Sequence, residues 1–191
     1  MAGWRNATNL GTKPGDRQDG RVRRSVAATG SAVFFALAPG TFAGLVPWGL
    51  TGWRLGRPIS DWLPLRILGL LLVVAGGAML VHAFVRFVVE GLGTPAPIAP
   101  PENLVVGGPY RYVRNPMYVA VLAALAGQAL LLWQPVLVGY GLLVAVAVVA
   151  FVLGYEQPAL HRKFGAQYEA YRRAVPGWWP RLRPWRPDST A

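Results

Sequence analysis

The chain has 191 residues, 53% of them hydrophobic and 14% charged, with a net charge of +11 and a mean hydropathy of +0.35. Soluble domains carry roughly a quarter charged residues, so this composition points to a membrane protein. The basic excess is then read against anionic headgroups rather than nucleic acid, for which no recognised motif is present. There is no cysteine, which excludes disulfides, thiolate metal sites and a cysteine nucleophile; two histidines far apart, His82 and His161, argue against a protein metal site.

Residues 1–25 carry Arg5, Lys13, Arg17, Arg21, Arg23 and Arg24 among Gly, Asn, Asp and Thr, and read as a disordered basic tail. Four apolar stretches then follow that are long enough to cross a bilayer. The first, about 26–50, contains Pro39 and Pro47 and is expected to be kinked or broken. The second covers about 65–89, the third about 117–133 and the fourth about 136–154. Gln134-Pro135 joins the last two and leaves room for nothing but a tight helical hairpin.

Beyond Gly154, Leu160, Phe164, Tyr168, Tyr171 and Val175 recur at helical spacing opposite a basic face. The run "VPGWWPRLRPW" that follows suits the headgroup zone. This segment reads as a C-terminal amphipathic interfacial helix. The fold class expected is therefore all-α: a polytopic membrane protein of about four transmembrane helices plus that interfacial helix, with 26–191 forming one membrane domain. Basic residues at both ends place the two termini and the 90–115 loop in the cytoplasm.

Three groups of polar residues stand out. His82, Arg86 and Glu90 are spaced by four and share one helix face, either as an interfacial ladder with an Arg86–Glu90 pair or as the wall of a polar cavity. Glu156 follows the fourth span, either compensating the dipole at the start of the next helix or binding a cationic or hydroxyl-bearing ligand. Finally, "GPYRYVRNPMY" at 108–118 crowds Arg111, Arg114, Tyr110, Tyr112 and Tyr118 at the edge of the third span. There Asn115 and Pro116 fit a helix start, as cap and first-turn residue.

"GPYRYVRNPMY", a helical hairpin, and then "EQPALHRKFGAQYEAYRRAVP" together resemble the integral-membrane methyltransferases of the isoprenylcysteine carboxyl methyltransferase and phospholipid methyltransferase group. The matching positions are Gly108, Tyr110, Arg114, Pro116 and Tyr118, then Glu156 and Leu160, then Phe164, Gly165, Tyr168, Tyr171, Val175 and Pro176. The resemblance covers about residues 90–180 and implies S-adenosylmethionine as cofactor. It implies cofactor-binding roles for Glu102, Asn103, Leu104, Val105, Tyr110, Asn115, Pro116, Met117, Tyr118 and Glu156. Asn115 stands where the family often has histidine, and Gln157 where it has a second glutamate. Val152 stands where the isoprenylcysteine enzymes have an arginine, which leaves a prenylcysteine carboxylate without that partner.

The chemistry implied is in-line methyl transfer to a membrane-held or small apolar acceptor: a prenylcysteine-like carboxylate, a lipid amine or a thiol. Its catalytic candidates are His82, Glu90 and Arg114. Two other readings compete with it. One is a non-enzymatic four-span protein that binds anionic lipid or a partner protein. The other is a small transporter, disfavoured because the polar groups gather at one face instead of the midplane.

Overall fold

A computed structural model of the chain describes residues 37–56, 63–91 and 103–186. The tail at 1–25, residues 26–36 of the first apolar stretch, and Glu102 lie outside the described residues. Among the described residues every regular element is helical. A π turn at Thr41–Leu45 leads into α1, Val46–Thr51; then come α2, Leu63–Gly91, and a 3-10 turn at Gly108–Arg111. α3 is Pro116–Leu132, α4 is Pro135–Phe151, a second π turn is Val152–Glu156, and α5 is Gln157–Ala174. Two continuous helices are long and apolar enough to cross a membrane, Leu63–Gly91 and the run Pro135–Ala174; α3 is a shorter apolar helix.

α2 and α3 pack backbone to backbone. Gly69, Gly76 and Ala83 recur every seven residues along α2 and are all buried. A Cβ on Gly69 would stand 2.7 Å from the carbonyl oxygen of Gly127, and one on Gly127 would stand 2.6 Å from that of Gly69. A Cβ on Gly76 would stand 2.8 Å from the carbonyl oxygen of Ala120. Lipid supplies no hydrophobic drive between two apolar helices, so dispersion through a close approach of small residues holds such a pair. The long side chains of α2, among them Leu71, Val74, Val81 and Val85, remain exposed on its other faces.

The two π turns share a cause. Each ends two residues before a proline, Pro47 in one case and Pro158 in the other. A proline ring in a helix collides with the carbonyl four residues back and withholds an N–H. Widening the preceding turn by one residue relieves the collision without ending the helix. Pro47 leaves the carbonyls of Phe42 and Ala43 without the partners that π or α register would give them. Both are met from the hairpin: Tyr140 Oη donates to Phe42 O at 2.9 Å and Gln128 Nε2 to Ala43 O at 2.8 Å. The kink expected from Pro39 and Pro47 thus takes the form of a π turn within a helical run from residue 37 to 51.

The second π turn corrects the sequence reading of Glu156. The fourth span was expected to stop by about 154, with a new helix starting behind it. The chain instead stays helical through Val152–Glu156 into α5, and Glu156 has helical φ −66° and ψ −50°. No helix N-terminus exists there, so the carboxylate has no dipole end to compensate.

The hairpin between α3 and α4 is as tight as the Gln134-Pro135 spacing requires: Trp133 takes φ 51° as the C-cap of α3, and Pro135 begins α4. The loop after α1 closes over it, with Gly56 N donating to Leu132 O at 2.7 Å and Gln134 Nε2 to Arg54 O at 3.1 Å.

The apolar stripe of α5 is present, but it faces the protein. Tyr168, Tyr171 and Val175 are buried against Leu104, Val106 and Trp185, with Leu160 and Phe164 at the margin. Gly165, at φ 51° and ψ −122°, bends the helix in the middle of this stripe. The opposite face carries Arg172 and Arg173, which both reach Glu169, at 3.3 and 3.6 Å.

Candidate functional site

The end of α2, the 103–115 loop, the start of α3, the second π turn, α5 and the 176–185 segment meet at the end of the bundle opposite the α3–α4 hairpin. Backbone pairing holds the loop there. Arg114 N donates to Pro176 O at 2.9 Å and Asn115 N to Gly177 O at 3.3 Å. Arg181 N donates to Tyr112 O at 3.0 Å, and Trp185 N to Arg111 O at 2.9 Å. Side chains complete the tie: Arg111 Nε donates to Trp185 O at 2.7 Å, and Arg181 Nη1 caps the end of α5 at Ala174 O, also at 2.7 Å.

Within this frame, Tyr118 on the first turn of α3 donates its hydroxyl to Oε2 of Glu156 at 2.9 Å. The π turn carries Glu156 to that position. Val152, four residues earlier in the same turn, is fully buried.

Tyr110 belongs to the same cluster. It is buried with Ala83 and Val105, and Met117 packs against it. Burial, and then the neighbouring Tyr171, Glu156, Tyr118 and Glu90, hold its hydroxyl well above the ordinary phenol pKa. Tyr171 Oη anchors the 3-10 turn by donating to the Tyr110 carbonyl at 2.7 Å.

Arg114 Nη1 donates to Tyr168 Oη at 3.2 Å. Its Nε and the Nδ2 of Asn115 are buried with no hydrogen-bond partner. Asn115 marks the start of α3, as Asn-Pro requires, but its side chain makes no capping bond. Its amide lies beside Gly177, where a Cβ would stand 3.6 Å from Nδ2, an ordinary contact distance. Buried donors without acceptors are uncommon, and these two belong to consecutive residues at the start of α3.

The helix-face alternatives for His82, Arg86 and Glu90 both hold in part. Arg86 Nη1 pairs with Glu90 Oε1 at 3.2 Å, and His82 and Arg86 line an open cavity. Glu90 has a further task that sequence reasoning missed: Oε2 accepts from Gly107 N at 2.8 Å, latching the loop to α2. A Cβ on Gly107 would strike that carboxylate, so a side chain there would displace Glu90 from the latch. Asn103 reinforces the latch through Nδ2 to Glu90 O at 3.4 Å. Of the residues singled out from sequence, Tyr110, Asn115, Pro116, Met117, Tyr118 and Glu156 thus gather on one side. Leu104 packs on α5, Val105 on Tyr110, and Asn103 on the end of α2.

The family model for phospholipid methyltransferases matches residues 65–167, more than half of the chain. The chain belongs to the phospholipid methyltransferase family. It is accordingly a methyltransferase by family, and its apolar helices mark it as membrane-associated. Searches of curated proteins and of solved structures return no match. The matched region begins within α2 and ends in α5, so it takes in the Tyr118–Glu156 pair, the loop latch and the first part of the α5 stripe, Leu160 and Phe164.

Proposed function

We propose that the protein transfers a methyl group from S-adenosylmethionine to an acceptor held in or at the membrane. The observation that carries this reading is the Tyr118–Glu156 hydrogen bond beside the two unpartnered donors of Asn115 and Arg114. The donor set fits the cofactor. A carboxylate suits its sulfonium and ammonium charges, aromatic faces suit a cation, and the buried amide and guanidinium nitrogens suit its carboxylate and hydroxyls.

Glu156 supplies the negative charge, and Tyr118 fixes which way that carboxylate points. Asn115 and Arg114 offer N–H donors. Residues 103–106, pinned by Glu90 and by α5, present backbone groups and an apolar surface. When bound, the cofactor supplies an electrophilic methyl group on a positively charged sulfur. What remains for the protein is alignment and exclusion of water. A carboxylate or thiolate acceptor needs no base. An amine acceptor must lose a proton, and His82 is the candidate to take it, since Glu90 is engaged by Gly107 and Arg86 and Arg114 by Tyr168.

In the membrane, the reading comprises four spans: the helix that includes 37–51, then α2, α3 and α4. α5 lies at the cytoplasmic interface with its basic face toward headgroups, and both termini lie on that side. The acceptor enters laterally from the bilayer between α2 and α4.

The test is methyl transfer from labelled S-adenosylmethionine by protein in nanodiscs, scored over amine lipids, a prenylcysteine and an alkyl thiol. Incorporation into one class that is lost in Glu156→Gln supports the reading. No incorporation into any class by protein that binds the cofactor would reject this range of acceptors. The non-enzymatic reading, in which the basic ends bind anionic lipid or a partner, has no use for the Tyr118–Glu156 pair.

A further inference from the structure

Residues 176–186 form a strap across the end of the bundle, and its two sides differ. The inner side belongs to the fold. The Pro176 and Gly177 carbonyls accept from Arg114 N and Asn115 N, while Arg181 N and Trp185 N donate to the Tyr112 and Arg111 carbonyls. Trp185 also packs on Tyr171, with ring centroids 5.5 Å apart. These backbone bonds hold the turn that leads into α3, and with it Arg114 and Asn115.

The outer side has no use inside the protein. Leu182 is 99% exposed and Trp179 82%, the two most exposed large apolar side chains among the described residues. Arg183 and Arg186 are exposed beside them, and no ion pair among the described residues engages either one. No Asp or Glu lies between Val175 and Arg186. A lone exposed leucine is ordinary. A tryptophan and a leucine that both stand clear of the protein, interleaved with uncompensated arginines, match the headgroup zone. There an indole sits at the polar boundary and guanidinium groups meet anionic headgroups.

The strap also lies at the depth this requires. α2 runs 29 residues, about 43 Å, against a hydrocarbon core of about 30 Å. Its apolar run 67–81 ends at His82, so the polar boundary of the bilayer falls near His82 and Arg86. Pro180 and Pro184 line one open cavity together with His82 and Arg86. The strap is therefore level with that boundary.

We propose that the outer side of this strap docks on the anionic surface of the bilayer, with Trp179 and Leu182 seated among the headgroups and Arg183 and Arg186 on their anionic groups, and that this seating steadies the 111–115 turn through the inner side. The partner is the lipid surface as a whole, not a methyl acceptor. The inference rests on α2 crossing the bilayer, as in the reading above, and on no assignment of cofactor or acceptor.

The test uses the full chain in nanodiscs. The chain has no cysteine, so a single introduced one carries a unique label. A nitroxide on Leu182→Cys is expected to be shielded from a water-soluble nickel chelate and open to oxygen; one on Val74→Cys, an exposed position in the middle of α2, reports on the span itself. Hydrogen exchange reads the second part. In equimolar phosphatidylcholine and phosphatidylglycerol, amides in 111–115 and 181–185 are expected to exchange about tenfold more slowly than in phosphatidylcholine alone. Trp179→Ala/Leu182→Ala and Arg183→Gln/Arg186→Gln, all at exposed positions, are each expected to remove that difference and leave exchange in the middle of α3 unchanged.

Several results would overturn the proposal. A Leu182 label open to the chelate beside a shielded Val74 label puts the strap in water while α2 still crosses. A Val74 label open to the chelate removes the span on which the depth of the strap stands. Equal exchange in the two lipids removes the role of the anionic surface. Slowing that survives Arg183→Gln/Arg186→Gln and is lost in Arg172→Gln/Arg173→Gln moves the contact to the outer face of α5. Slowing reproduced by soluble glycerol phosphate in phosphatidylcholine nanodiscs assigns the effect to a single bound headgroup instead of a surface.

Discussion

Tyr118 and Glu156 lie 38 positions apart and share a hydrogen bond of 2.9 Å, which spans the α3–α4 hairpin at the end away from its turn. The bond ties the first turn of α3 to the π turn that precedes α5. Removing the hydroxyl in Tyr118→Phe frees the carboxylate to rotate. Binding of S-adenosylmethionine is expected to weaken about tenfold, the usual scale for a hydrogen bond to a charged group. Isothermal titration checks it. In a Glu156→Gln background the same change is expected to add little, because the two residues act as one unit.

The α2–α3 seam depends on missing side chains. Gly127→Val forces a branched side chain against the Gly69 carbonyl and is expected to cost about 1–3 kcal/mol as the helices separate. Gly77→Ala is the control, since a Cβ there meets nothing within 4 Å. It is expected to be neutral or slightly stabilising. Thermal unfolding in detergent ranks the two.

Glu90 holds the loop by its backbone. In Glu90→Gln the side chain retains an acceptor oxygen but loses its charge, and both the Gly107 amide and Arg86 lose a charge-assisted bond. Hydrogen exchange at the Gly107 amide is expected to quicken by about tenfold, with exchange in the middle of α2 unchanged. Equal exchange in both proteins would show that the loop is held by its pairing to 176–185 alone.

Tyr110 makes stability sensitive to alkaline pH. Its folded-state pKa is raised, mainly by burial, so the unfolded chain ionises first as pH climbs. Its contribution is full below the ordinary phenol value of about 10 and is lost progressively above it. Tyr110→Phe is expected to flatten the fall in unfolding temperature above that pH, with little change in slope near neutrality.

Much of the helical layout was legible in the sequence. The stretch read at about 65–89 forms a helix at Leu63–Gly91, and those read at about 117–133 and 136–154 form helices at Pro116–Leu132 and Pro135–Phe151. Apolar run length and the Asn-Pro and Gln-Pro punctuation carry that information locally. The spacing of seven between Gly69, Gly76 and Ala83 was also present, and it is the signal for the seam that an apolarity count passes over.

The π turns were not legible, because a proline in an apolar run predicts a break or kink without saying how the backbone absorbs it. The continuity of helix through Glu156 follows from that and removes the dipole reading. Least legible was the pairing of 111–115 with 176–185. It carries no periodicity and depends on Arg111, Arg181 and Trp185 meeting across some 70 residues. The family motif did point to Tyr118 and Glu156 together, and their hydrogen bond gives that pairing a physical form.

The central claim is that the cluster around Glu156 holds the methyl donor. Calorimetric titration of S-adenosylmethionine into the purified protein in nanodiscs, beside Glu156→Gln, tests it most directly. The account predicts saturable binding to the wild-type protein that falls by at least about tenfold in the variant while both unfold at similar temperatures. A folded wild-type protein that takes up no donor up to millimolar concentration, or a variant that binds as well as the wild type, would contradict it.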